Sequence, residues 1–351
     1  MDKAVNGTMW REQTSVDEAL LAAGARDLAA FLGGPTLIHL QGRRDPALFV
    51  SVLMHGNETV GWDAVRALLR RYALGDGRFD LPRSMSLFVG NVTAAARGMR
   101  KLEGQPDYNR VWPGSELPPT PEHAMMQEVV EVMAARGVFA SVDVHNNTGF
   151  NPHYACVNVL EDRFLQLAAL FSRTVVYFLR PKGVQSQAMA RLCPAVTLEC
   201  GKVGQSHGVS HAMEYLDACL RMAEIPPHPV AGHDIDLFHT VAQVKVPETV
   251  SFGFGDGDYA ICFAPDIDRL NFRELPPGTE LGEVCNGPGI PLDVRDEEGR
   301  DVAEHFFRVE NGRLETRVPV MPSMLTRNAT VIRQDCLCYL MERYNDHLAD
   351  G

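Results

Sequence analysis

Apolar and polar positions along the chain follow two periods. Residues 47–54, Ala-Leu-Phe-Val-Ser-Val-Leu-Met, are almost continuously apolar, the pattern of a strand buried on both faces. Residues 86–91, 138–144 and 195–199 carry short runs of the same kind. Around and between them, apolar residues return at helical spacing over 17–31, 59–72, 122–136, 161–172 and 209–223. Strands alternating with helices predict an α/β fold with a mixed, mostly parallel sheet flanked by helices. Ile225-Pro226-Pro227-His228-Pro229 then interrupts the pattern as a stiff, proline-rich linker. Beyond it, 240–246 and 259–264 read as strands among Gly253, Gly255, Gly257, Pro276-Pro277-Gly278 and Gly287-Pro288-Gly289. Short strands with many turns predict a smaller β-rich C-terminal domain. The expected division is 1–225 and 226–351.

Composition narrows the function classes. At 351 residues, 45% hydrophobic and 22% charged, the chain is long enough for two domains and apolar enough for a substantial core. A net charge of -12 works against nucleic acid and against an anionic membrane surface as partners. No stretch approaches 18 consecutive apolar residues, so no membrane span is expected. Met1-Asp2-Lys3-Ala4-Val5-Asn6-Gly7 lacks the basic-then-apolar order of a secretion signal. The 8 cysteines include no Cys-x-x-Cys pair and read as reduced, mostly buried thiols of a cytoplasmic protein, with Cys336 and Cys338 as alternating positions of one element. The chain contains no internal repeat and no low-complexity tract.

Candidate chemistry collects at strand ends, where ligands bind in parallel sheets. His55-Gly56-Asn57-Glu58 follows the 47–54 strand at once, and an imidazole with a carboxylate three residues on is a normal zinc pair. Asp143-Val144-His145 ends another strand, with Asp143 on the same face as His145 and placed to fix its tautomer. His55, Glu58 and His145 together supply two imidazoles and one carboxylate with a fourth position open, the composition of a catalytic zinc site. Glu199 ends a third core strand; a carboxylate there needs a partner or a task, and it reads either as general base for a zinc-bound water or as a helix-capping or salt-bridging glutamate. Arg97, Arg100, Lys101 and Arg110 place four cations within a short stretch of an acidic chain, which reads as a pocket for an anionic small molecule or, taken alone, as a solvated basic loop.

In order along the chain, these segments resemble the succinylglutamate desuccinylase/aspartoacylase branch of the zinc carboxypeptidase-like hydrolases. His55-x-x-Glu58 looks like the family's first ligand pair and Asp107-x-Asn109-Arg110 like its substrate-binding Asp-Leu-Asn-Arg. Asp143-x-His145-Asn146 looks like the third-ligand strand, and Thr197-Leu198-Glu199-Cys200-Gly201-Lys202 like the segment holding the catalytic glutamate. Asn271-Phe272-Arg273-Glu274-Leu275-Pro276-Pro277-Gly278-Thr279 is similar to a desuccinylase turn, so the likeness spans roughly residues 45–285.

The resemblance implies one zinc per chain on His55, Glu58 and His145, and Glu199 as proton acceptor. Asn109 and Arg110 would orient the anionic end of an N-acyl amino acid. Arg100, or Arg97, would stabilise the oxyanion or grip a substrate carboxylate. Lys101 stands where the family usually has Tyr after the arginine, and two extra residues precede Asp107, so the two arginines stay open as alternatives. Asn146-Asn147-Thr148-Gly149 is nearer the aspartoacylase pattern and Leu198–Lys202 nearer the desuccinylase one, which leaves the acyl group open. The β-rich domain would cap the site, and homo-oligomerisation stays open. A metallocarboxypeptidase acting on peptides or glutamyl-type conjugates is the competing enzymatic reading. A metal-binding module without catalysis is the other, and the joint presence of base, ligands and cations argues against it.

Overall fold

A computed structural model describes residues 9–75, 77–285, 287 and 289–344. The N-terminal segment read above for a secretion signal, and Pro288 of the last glycine–proline turn, lie outside the described residues. Two compact units account for the chain. One comprises the chain up to Asn146, His153–Tyr177 and Pro181–Asp236; the other comprises Asn147–Pro152, Phe178–Arg180 and the chain from Leu237.

The first unit is built on strands β1 (Arg11–Gln13), β2 (Thr36–Leu40), β3 (Ala47–Val52), β4 (Met85–Val89), β5 (Val138–Asn147), β6 (Tyr154–Val157), β7 (Thr174–Tyr177) and β8 (Ala195–Lys202). Their order in the sheet is β1-β2-β4-β3-β5-β8-β6-β7. β3 runs parallel to both β4 and β5, β1 to β2 and β6 to β7, while β2–β4 and β6–β8 are antiparallel. Every residue of β2, β3 and β4 is buried, the result of near-continuous apolar runs covered on both faces. Helices α1 (Val60–Tyr72), α2 (Val92–Arg97), α3 (Pro121–Arg136), α4 (Asp162–Ala169) and α5 (Ser206–Arg221) join the strands.

The helix expected over 17–31 is instead three pieces: Glu18–Ala22, a 3-10 turn at Ala25–Asp27, and Leu28–Leu32. Gly24 interrupts the helical run, and the Ala23 carbonyl, freed from helical bonding, accepts the Trp62 indole N–H at 2.9 Å. Strands β1, β2, β6 and β7 lie outside the expected set; they are short, and β2 carries His39 in mid-strand.

The second unit is β-rich, as expected. Strands β9 (Asp236–Lys245), β10 (Phe252–Phe254), β11 (Ile261–Phe263), β12 (Glu280–Val284), β13 (Asp293–Asp296), β14 (Phe307–Glu310), β15 (Arg313–Thr316), β16 (Met321–Ser323) and β17 (Cys338–Arg343) supply it. β9 pairs antiparallel with β13 and β17, and β16 with β17. A separate sheet runs β10-β11-β12-β15-β14. Val244, Ile261, Phe263, Val294, Phe307 and Leu314 lie within one hydrophobic core of this unit. Cys336 precedes β17 and Cys338 opens it, so the pair does not alternate along one element. None of the eight cysteines forms a disulfide; six are buried, Cys262 is half-buried and Cys285 exposed. Among the described residues, no helix is long and apolar enough to cross a membrane.

Candidate functional site

β3 ends in a backbone reversal that delivers the first two site residues. Leu53 adopts a left-handed φ of 57°, uncommon for a branched side chain, and its carbonyl accepts the Asn91 N–H at 2.7 Å. Gly56 follows because the chain passes close to α2: a Cβ there would lie 2.2 Å from the Ala95 nitrogen. The Gly56 N–H donates to the Arg100 carbonyl at 3.0 Å, fixing the arginine segment beside the turn. β5 delivers Asp143 and His145 on one face by its two-residue period. Asn146 points the other way and binds the site's elements together, accepting from the Val60 N–H at 3.2 Å and donating to the Gly201 carbonyl at 3.0 Å.

These elements bring His55, Glu58 and His145 together, all buried, with one donor atom from each inside a 4.8 Å sphere of mutual distance. His55 Nδ1 lies 2.9 Å from Glu58 Oε1, and His145 Nδ1 lies 2.7 Å from Glu58 Oε2. The outer nitrogens face carboxylates: His55 Nε2 is 3.0 Å from Asp107 Oδ1, and His145 Nε2 is 2.7 Å from Asp143 Oδ2. A carboxylate at Nε2 holds the proton there and turns the Nδ1 lone pair inward, the outer hydrogen bond that metal-binding histidines generally make. Asp143 is itself fixed by the Ser51 hydroxyl at 2.6 Å, and Asp107 by the Arg100 guanidinium at 2.9 Å.

Asp107 is the residue whose neighbours the motif reading missed. It sits in the segment read as substrate-binding, yet its carboxylate meets the His55 ring 52 positions earlier. No local spacing signals a partner at that separation.

The electrostatics fit a divalent cation. Glu58, Asp107, Asp143 and Glu199 are four buried carboxylates, and the buried guanidinium facing them is that of Arg100. Buried negative charge is costly, and a dication at the two Nδ1 atoms and Glu58 would offset it. Burial would raise the Glu58 carboxyl, but His55 and His145 outweigh it and hold Glu58 well below the usual carboxylate range. Burial opposes the His145 imidazolium too, yet Asp143 and Glu58 drive its basicity well above normal. In the absence of a cation, therefore, His145 retains an extra proton.

Glu199 has the opposite environment. It is buried on β8, opposite Tyr154, and its Oε2 has no hydrogen-bond partner. Burial pushes its carboxyl up to about 8, with His145 and Arg100 opposing and Glu58 and Asp143 reinforcing the rise. A buried carboxyl with raised basicity and an unpartnered oxygen, beside the His–Glu–His cluster, is equipped to take and return a proton.

The four cations do not share one environment. Arg100 is buried, with Nη1 3.6 Å from Glu58 Oε1, whereas Arg97 is exposed in the last turn of α2. Lys101 and Arg110 are half-buried. Arg110 returns one N–H to the Asn109 carbonyl at 2.8 Å, and its charge also reaches Asp107. The Asn109 amide nitrogen lies 3.2 Å from Asp143 Oδ2 and 3.1 Å from His145 Nε2, and its oxygen accepts the Gln185 N–H at 2.9 Å. Its side chain is thus committed to the histidine-orienting layer.

A buried His–Glu–His cluster that could hold a metal ion, with a further buried carboxylate alongside, lies at the strand ends of a mixed sheet. The chain belongs to the succinylglutamate desuccinylase/aspartoacylase family, whose catalytic-domain model matches residues 44–221. It is 27% identical over 316 residues to succinylglutamate desuccinylase of Pseudomonas paraeruginosa, covering 81% of this chain and 87% of that one. The fold is similar to the crystal structure of succinylglutamate desuccinylase from Chromobacterium violaceum, with a TM-score of 0.54 at 20% identity over 86% of each chain. It is also similar to murine aminoacylase 3, with a TM-score of 0.55 at 16% identity over 86% of this chain and 97% of that one.

Proposed function

We propose that this protein is a zinc-dependent hydrolase that cleaves the amide bond of an N-acyl amino acid, with one zinc per chain on His55, Glu58 and His145. The observation that carries the reading is the convergence of two imidazole Nδ1 atoms on Glu58 beside Glu199, a buried carboxylate with an unpartnered oxygen. Both relatives are named for removing acyl groups from amino acids, which supports the substrate class. Zinc bound there supplies Lewis-acid polarisation of the amide carbonyl and lowers the pKa of water towards about 7.

The chain's own residues supply the rest. Glu199 accepts the proton of the attacking water and hands it to the departing nitrogen. Arg100, held by Asp107, presents positive charge to the oxygen on which negative charge develops. Arg110 pairs with the substrate's carboxylate, while Asn109 keeps Asp143 and His145 aligned so that Arg110 and the ligands share one frame. Residues 1–225 form the catalytic domain in this reading and 226–351 a separate β-rich domain. The working compartment is the cytoplasm, where the thiols stay reduced.

The test is elemental analysis of the purified chain together with a screen of N-acyl amino acids and C-terminal peptides. Zinc-dependent release of a free amino acid from an N-acyl substrate is the expected result. Cleavage of peptides alone would assign a carboxypeptidase, and stoichiometric zinc without hydrolysis of either class would assign a binding module.

A further inference from the structure

A second histidine cluster lies in the first unit, apart from the residues discussed so far. His153 leads into β6, and His207 and His211 stand four apart on α5, a spacing that puts both on one helix face. His153 Nδ1 lies 2.7 Å from His211 Nδ1. The His207 ring stacks on His153, with centroids 5.2 Å apart and planes 14° apart. Phe171 packs against His211 with ring centroids at 4.3 Å.

The hydrogen bonds settle which nitrogens carry protons. His211 Nε2 is 2.8 Å from the Phe171 carbonyl, which only accepts, so Nε2 carries hydrogen and Nδ1 of the neutral ring bears a lone pair. His153 Nδ1 then donates to it, which leaves the His153 lone pair on Nε2. That nitrogen is buried without a partner, packed against Gly201 so closely that a Cβ there would lie 2.9 Å from it. Burial, with His211 and His207 reinforcing it, lowers the basicity of His153, so its ring is neutral and able to donate a lone pair at neutral pH.

We propose that His153, His207 and His211 form a second cation site, for a borderline divalent ion of the Ni2+, Cu2+ or Zn2+ class. An all-imidazole donor set selects these ions over Mg2+ and Ca2+, which require oxygen ligands. His211 offers Nδ1 as it stands, with its outer N–H held by the Phe171 carbonyl in the way metal-bound histidines generally are. His153 offers Nδ1 once its proton moves to Nε2, so no proton is gained or lost by the pair. Among the described residues, three donor atoms are already within 4.8 Å only at His55, Glu58 and His145. His207 therefore completes the second site by turning about its side-chain torsions, which its exposure permits. The occupied site clips α5 to the segment entering β6, and because it forms only in the folded chain it stabilises that chain by mass action.

The test loads the protein with zinc at its first site, then titrates it with Ni2+ alone, following heat and counting both metals by elemental analysis. One nickel per chain beyond the retained zinc, with a rise in melting temperature, is the expected result. His153→Gln/His211→Gln should abolish nickel uptake, and His207→Gln, a surface change that does not endanger folding, should cut it from about one per chain to a small fraction, because two remaining ligands hold the ion poorly. Both variants should keep zinc and hydrolytic activity. Conversely, His145→Ala should lose zinc and still take up nickel at the second site, so failure of one site reads separately from failure of the other. The proposal is overturned if wild type takes up no nickel beyond its zinc, or if His207→Gln and the double variant bind it as wild type does.

Discussion

Replacing Glu199 with Gln separates its chemical task from its structural cost. Gln keeps the size and one acceptor oxygen, so β8 and the zinc ligands should survive. It has no proton to exchange, so kcat should fall by about 10²–10⁴-fold, roughly 3–5 kcal/mol of barrier, with KM little changed. The structure predicts a second effect of opposite sign on stability. The Glu199 carboxyl, ordinarily near 4.5, is pushed up to about 8 by burial in the cation-free protein. A raised carboxyl means that the folded chain binds the proton more tightly than the unfolded one, so stability falls as pH rises between those two values. From pH 4.5 to pH 7 the wild type should therefore lose on the order of 3 kcal/mol relative to Glu199→Gln.

Urea titrations of chelator-treated wild type and variant across that range measure this difference, and steady-state kinetics of the zinc-loaded forms measure the first effect. A dication nearby favours the carboxylate, so the stability gap should narrow once zinc is restored. A variant with kcat within a few-fold of wild type would remove Glu199 from the chemistry. A stability gap that does not change with pH would show that the buried carboxyl is not held as its surroundings imply.

Other outcomes follow from the same geometry. His145→Ala should drop bound zinc from about one per chain to a trace, because two remaining ligands hold zinc poorly; stoichiometric metal in the variant would displace the site. Zinc uptake by the cation-free protein at neutral pH should release protons, since His145 and Glu199 both hold one without it, and apparent affinity should rise with pH. Calorimetry in buffers of different ionisation enthalpy counts those protons, and a count of zero would contradict the assignment. Arg110→Ala should raise KM for substrates with a free carboxylate by about ten- to a hundredfold, the worth of a charged hydrogen bond. A neutral ester of the same substrate should be affected far less, and equal effects would detach Arg110 from the anion.

Periodicity in the sequence determined much of the first unit. Continuous apolar runs such as 47–52 can be satisfied only by burial on both faces, so the central strands and the helices between them were legible without any tertiary information. For the same reason His55 and His145 were placed at strand ends, and Asp143 on the face of His145 by the two-residue period alone. What periodicity could not supply were relations across chain separation. Asp107 meets His55 from 52 residues away, and which of Arg97 and Arg100 lies beside the cluster depends on which one the turn at Gly56 draws inward. Both arginines have the same chemistry in the sequence; only packing buries one against Glu58 and leaves the other in solvent. The histidines at 153, 207 and 211 are likewise unremarkable apart from the helical spacing of the last two. They meet because α5 packs where the chain enters β6. Local pattern fixes which face a side chain takes, whereas the partners it finds there are set by the folding of distant segments onto one another.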